Sequence, residues 1–411
     1  MYMVELFAGT GGLLEGFMKA GFKSVACVEK NEDACNTLRT RHAFWNLKNN
    51  DRLSVYYDYL KKNISRDELW NYTDSNDPVI NLEITADTLD TVEREIRKRM
   101  SDAGIKKIDV FTGGPPCQTF SVAGRRRRGN DISCDSRTHL YVYYAELLRR
   151  FKPEIFVFEN VTGILSVKLG GEYVINKIRK EFFNAGYIFD FRILNVADFG
   201  VLQNRKRIVM IGWKKRRKMN YPDFCGFSYG EYRVSDLILD LPEIFNGGNL
   251  NNLKYISEPA TYLLKSGIRE KDFNILTWHV ARKLNDNDRK IYRMAIEKWN
   301  VEKKRLKYSE LPDCLKTHRN KESFEDRFKV VAGDLPHSHT LVAHIARDGH
   351  YYIHPDINQS RSITVREAAR IQSFPDDYFF EGSRTSAFMQ IGNAVPPVMA
   401  YRIAERIKET L

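Results

Sequence analysis

The sequence predicts an α/β protein, a doubly wound and mostly parallel sheet with a second, smaller and irregular domain attached. Three observations predict it: short apolar runs alternate with helical patterns from Val4 to Gly212, a glycine turn follows the first run directly, and the alternation stops at Trp213. A chain of 411 residues suits two domains, drawn here as 1–212 plus 385–411 for the sheet and 213–384 for the smaller unit. The 43% hydrophobic share supplies a core, and the 29% charged share is mixed in sign, which argues against disorder.

The first expected strand, residues 3–7, runs into the turn Phe7, Ala8, Gly9, Thr10, Gly11, Gly12. Glycines let a backbone turn tightly and approach a nucleotide, and an acid at the end of the next strand (25–28), Glu29, can accept hydrogen bonds from ribose hydroxyls. Leu14 stands where a dinucleotide fingerprint has its third glycine, so an adenosine ligand without a pyrophosphate fits better. Packing alone is the plainer account of such a turn. Residues 43–100, rich in Asn, Asp and Lys, read as an elaborated excursion with a helix around 89–100.

The strand at 108–111 leads to GGPPCQTFS, 113–121. Open α/β sheets hold ligands at the carboxyl ends of their strands, and a buried structural thiol needs no flanking prolines, so Cys117 reads as a nucleophile. Helical spacing of Leu140, Tyr144, Leu147 and Leu148 follows, with Arg149 and Arg150 where a helix end welcomes cations. The strand at 155–158 ends in ENV, which sets the Glu159 carboxylate at a neighbouring strand end; capping the next helix is its plainer role. In QNRKR, 203–207, Arg205 and Arg207 alternate with Lys206 as on an edge strand, before a strand at 208–212; a solvated face is the alternative.

A basic run, Lys214 to Lys218, opens the irregular region, and order returns at 360–375 and in the amphipathic helix after Pro397. Lys plus Arg number 65 against 53 acids, a net +12 that suits a polyanionic partner as well as it suits simple solubility. Six scattered cysteines form no CxxC pair, and His337 and His339 lack acidic or cysteine partners at ligand spacing, so neither a disulfide framework nor a metal is expected. No signal peptide and no run of ~18 apolar residues is visible, which points to the cytosol.

Taken together and in order, these motifs resemble the cytosine-5 DNA methyltransferase family from Val4 to about Gly212 and from Ser360 to Leu411. FAGTGG is similar to its cofactor motif, GGPPCQTFS to its nucleophile motif, ENV to its acid motif and QNRKR to its QxRxR motif. RSITVREAARIQSFP (361–375) and QIGNAVPP (390–397) resemble its ninth and tenth. The resemblance implies a Rossmann-like methyltransferase fold, S-adenosylmethionine as cofactor and double-stranded DNA as partner. It implies that Cys117 attacks carbon 6 of an extruded cytosine, that Glu159 acts as acid, and that Arg205 and Arg207 hold the base oxygen and orient that acid. Cofactor contacts would come from Phe7, Ala8, Gly9, Thr10, Gly11, Gly12, Glu29, Lys30, Pro116 and Asn393, with Glu83 or Asp87 at the adenine amine. DNA contacts would come from Gln118, Ser121, Arg125, Arg126, Arg127 and Arg128, and sequence recognition from about 214–335. The resulting expectation is a cytoplasmic, nucleoid-associated monomer, paired in function but not in complex with a cognate endonuclease. An RNA cytosine methyltransferase on the same core, an inactive DNA-binding relative and a nicotinamide-dependent oxidoreductase are the rival readings. The first is disfavoured by the lack of a Cys-Phe-Thr element, the second by the presence of Cys117, Glu159, Arg205 and Arg207, and the third by Leu14.

Overall fold

The computed structural model describes residues 1–73, 77–116, 136–227, 229–245, 247, 254–318 and 322–411. Its strands are β1 (Tyr2–Leu6), β2 (Lys23–Glu29), β3 (Val79–Asn81), β4 (Val110–Gly113), β5 (Ile155–Asn160), β6 (Lys168–Leu169), β7 (Glu172–Tyr173), β8 (Tyr187–Asn195) and β9 (Lys206–Lys214). All but the β6–β7 hairpin join one sheet in the order β3-β2-β1-β4-β5-β9-β8. The first five run parallel, while β9 is antiparallel to both β5 and β8. The expected strand at 208–212 therefore exists but lies inside the sheet, and QNRKR leads into an interior strand rather than an edge. Periodicity could not show this, because a strand buried on both faces reads as an unbroken apolar run whatever its direction.

Helices cover both faces: α1 (Gly12–Lys19), α2 (Glu32–Asn49), α3 (Leu53–Leu60), α4 (Arg66–Asn71), α5 (Leu89–Asp102), α6 (Leu140–Phe151) and α7 (Val174–Asn184). On one face α5, α6 and α7 bury Ile96, Leu147 and Phe182 against Val4, Phe111 and Phe156. On the other, Phe17 and Leu38 meet Met3, Val110 and Ile211. The 43–100 excursion is more helical than expected. Its Phe44, Tyr56, Leu60 and Leu69 bury themselves with Phe273 of the smaller unit, and Ser65 and Glu68 form a capping box that starts α4.

The smaller unit holds α8 (Thr261–Ser266), α9 (Asp286–Glu302) and α10 (Val365–Ile371), with isolated bridges in place of a sheet among its described residues. Buried ion pairs organise its ninth-motif segment. Arg361 grips both oxygens of Glu367 at 2.7 and 2.8 Å, and Arg370 spans Asp240 and Asp376. The chain then divides its loyalties. Ala387, Phe388 and Ile391 of α11 (Arg384–Asn393) pack into the smaller unit, whereas Val398, Ile403 and Ile407 of α12 (Pro397–Thr410) return to the sheet.

α12 lies directly on α1, and glycines make the approach possible. A Cβ on Gly12 would sit 2.1 Å from the Val395 carbonyl oxygen, and one on Gly16 2.3 Å from the Tyr401 nitrogen. Gly12→Ala is therefore expected to cost about 1–3 kcal/mol of stability, because backbone rather than a flexible side chain must move. Urea unfolding checks this, with a fall in the midpoint.

Candidate active site

The carboxyl ends of β1, β2 and β5 lead into the FAGTGG turn, Glu29 and Glu159. After β1, Phe7, Gly9 and Gly11 all hold positive φ (54°, 55° and 78°), which folds the turn back on itself. Gly9 has nothing within 4 Å of where a Cβ would stand, so its face is open to a ligand. Gly12 is different, since it is buried against Val395, and Ala8, Thr10 and Gly11 are buried too. The Thr10 hydroxyl donates to Gln390 Oε1 at 3.0 Å, and Tyr378 donates to the Thr10 carbonyl. Of the six turn residues, only Phe7 and Gly9 are partly exposed. The side chains of Ala8 and Thr10 and the α-carbon of Gly12 are thus committed to packing, which leaves their backbone as what they can offer a cofactor.

Glu29 ends β2 and accepts from the Gly9 and Asn31 amides at 2.8 Å each, which ties it to the turn. Lys30, next in the chain to Glu29, pairs with Glu83 at 2.8 Å on the exposed surface. Asn393 is exposed at the end of α11. Glu5 was missed by the sequence reading. It is 2% exposed, its Oε2 has no hydrogen-bond partner, and burial, reinforced by the nearby Glu29 charge, pushes its pKa well up. The available signal was one acid inside the apolar run YMVEL.

Glu159 and Asn160 at the end of β5 point opposite ways, as successive strand residues do. Asn160 is buried and donates to the Pro115 carbonyl at 3.1 Å, anchoring the GGPP loop to the strand. Glu159 turns to Arg207, whose Nε lies 3.0 Å from its Oε1, and the two side chains are each 13% exposed. A Cβ on Gly114 would fall 2.8 Å from Glu159 Oε2, so this glycine keeps the space beside the carboxylate free. Burial raises the Glu159 pKa, and the charges of Arg207 and Arg205 only partly oppose it. Pro116 is the last described residue of the loop; Cys117, Gln118, Ser121, Arg125, Arg126, Arg127 and Arg128 lie outside the described residues.

Arg205 departs from its expected task of holding the base. It is 1% exposed, with Nη1 donating to the Leu341 carbonyl and Nη2 to those of Gly392 and Ala394, 3.1 Å each. Gln203 completes the junction, accepting from the Leu341 amide at 3.0 Å and donating to Gln372 at 2.8 Å. The pair bolts the catalytic strand to the tenth-motif turn. Arg205→Ala is expected to lower stability by about 3 kcal/mol, since three buried carbonyls lose a charged donor. It should also raise KM for the cofactor more than it lowers kcat, as unfolding and initial-rate measurements would report. His339 is no ligand in waiting: it bonds the Tyr351 carbonyl at 2.6 Å, stacks on Tyr352 at 5.1 Å, and burial takes its pKa down to about 4.

A family model described as C-5 cytosine-specific DNA methylase matches residues 1–65 and 83–409. The unmatched stretch, 66–82, contains both α4 and β3. The type II methyltransferase M.Bpa9945I of Bacillus paralicheniformis is 38% identical over 100% of this chain and 99% of its own length. The type II methyltransferase M.DdeI of Desulfomicrobium norvegicum is 32% identical over 99% and 88%. A solved structure described as a prophage-encoded DNA modification methyltransferase (E. coli) superposes with a TM-score of 0.63 at 23% identity, covering 100% of this chain and 99% of that one, a likeness of fold.

Proposed function

The chain belongs to the C-5 cytosine-specific DNA methylase family, and from that premise we propose that it methylates carbon 5 of a cytosine extruded from one specific duplex sequence, with S-adenosylmethionine as donor. The observation that carries the proposal is Glu159, a carboxyl group desolvated at the strand edge, braced by Arg207 at 3.0 Å and kept accessible by Gly114. Such an acid holds its proton to unusually high pH, which is what a donor to a pyrimidine ring nitrogen needs.

S-adenosylmethionine, when bound, supplies a methyl group carried on a positively charged sulfur. The residues fit such a guest: Glu29 is tied to a glycine turn whose open face is Gly9, and the Glu5 carboxyl, which burial favours in its neutral form, keeps an oxygen without a partner. Glu83, paired with Lys30, is the proposed partner of the adenine amine. Carbon 5 of cytosine is too weak a nucleophile unaided. The Cys117 thiolate forms a bond to carbon 6, Glu159 gives its proton to ring nitrogen 3, and the electron pair of the broken double bond becomes available at carbon 5. After methylation carbon 5 loses its proton to solvent, the thiolate departs and the ring proton returns to Glu159. Arg207 orients the acid and is placed to meet the base oxygen. Extrusion costs a few kcal/mol, about what phosphate contacts from the Arg125 to Arg128 run would offset.

Type II relatives support a role as the modification half of a restriction–modification pair; that the chain works as a cytoplasmic monomer is part of the same proposal. Among the described residues no helix is long and apolar enough to cross a membrane. The test is incubation with labelled S-adenosylmethionine and duplex DNA, RNA or neither, followed by sequencing of methylated positions. Label at cytosines of one short DNA sequence is expected; label in RNA alone would overturn the proposal.

A further inference from the structure

Where the excursion meets the smaller unit, a cavity of about 340 Å³ opens between Tyr59, Trp278, Phe379 and Glu381. Its walls are mainly aromatic, with Leu60, Ile64 and the exposed Lys62 also in the lining. Tyr59 stands edge-on to Phe379 (5.5 Å between centroids, 77°), and Trp278 lies across the same ring at 5.8 Å. Trp278 is held at φ 61°, a conformation that costs a non-glycine residue about 1–3 kcal/mol and persists only where the surroundings impose it. The floor is the Glu381 carboxylate, 6% exposed. Oε1 accepts from the Thr40 and Tyr59 hydroxyls at 2.6 and 2.7 Å, while the nearest cation to Oε2, Arg66, stays 4.0 Å away and rests on Trp70.

We propose that this aromatic cage with an acidic floor binds an alkylammonium ion, its charge on Glu381 Oε2 and its carbon shell against Tyr59, Trp278 and Phe379. Aromatic faces attract cations through their quadrupole, and desolvation strengthens the attraction. Burial leaves the Glu381 pKa raised in spite of Arg66, so the resident cation does not compensate the site. The cage also communicates with the glycine turn. The Glu381 amide donates to Thr37 Oγ1 at 2.8 Å, Thr37 donates to Gln390 Oε1 at 2.7 Å, and Gln390 accepts from Thr10 as well.

The test is calorimetric titration of the full chain, without DNA, with choline and separately with spermidine, against sodium chloride at matched ionic strength. Saturable binding of at least one is expected, weakened about tenfold or more in Glu381→Gln and in Phe379→Leu. The glutamine side chain keeps a carbonyl acceptor for Thr40 and Tyr59, and unchanged urea midpoints would show both variants folded. Choline binding alone would mark a site for compact quaternary ions, and spermidine binding alone one for primary amines; each supports the cage. No saturable binding to the unsubstituted chain, or equal binding by Glu381→Gln, would overturn it.

Discussion

Cys117→Ser is expected to abolish methyl transfer while leaving DNA binding intact. The reaction needs a nucleophile that is appreciably ionised near neutral pH and polarisable enough to add to a ring carbon. A thiol with pKa ~8.5 meets that requirement in a basic setting, and a serine hydroxyl does not. Removing a covalent nucleophile elsewhere costs on the order of a millionfold in turnover, so the rate should fall below detection. Phosphate contacts, which dominate affinity for duplex DNA, do not involve the sulfur. Labelled-methyl transfer and a gel-shift titration at fixed salt separate the two effects. Retained transfer would remove covalent catalysis from the scheme.

The second large effect is expected at Glu159, where glutamine should lower kcat about 10²–10⁴-fold, the usual worth of a positioned proton donor. The pH profile gives the sharper check. Burial raises the Glu159 pKa, so its protonated, active form survives above the ordinary carboxylate range and is lost as pH rises through the raised value. The thiolate of Cys117 is gained over the same direction, and the product of the two should be a bell. Arg207 opposes the rise, being 3.0 Å from the carboxylate. Arg207→Ala should therefore move the acid's limb upward in pH while lowering the rate, whereas Glu159→Gln should erase that limb. A profile unchanged in both variants would assign the proton to another group.

The positions of β1, β4, β5 and of Glu29 and Glu159 were legible because a parallel strand, a turn residue and a strand-end acid each leave a local signature. What was not legible depended on distant partners. Nothing near QNRKR states that β9 runs antiparallel between β5 and β8, or that Arg205 finds its acceptors at Leu341, Gly392 and Ala394. Gly12 looked like a cofactor glycine because of the motif it sits in; its own reason for being glycine is the Val395 backbone. Glu5 was hidden in the opposite way, an acid overlooked because the strand around it reads as core. The helices of the excursion bury Phe44, Tyr56, Leu60 and Leu69 with Phe273, a contact that composition rich in Asn, Asp and Lys does not announce.

The seam between α1 and α12 bears on how the molecule comes into being. Lys408 donates to the Ala20 carbonyl across 388 positions of chain, so the helix that carries the glycine turn acquires its lid only after nearly everything else has left the ribosome. Synthesis runs at about 5–20 residues per second and early segments fold first, which leaves the turn unsupported for some tens of seconds. Interrupted translation products that lack Val395 and α12 would accordingly leave Gly12 and Gly16 without the backbone they pack against.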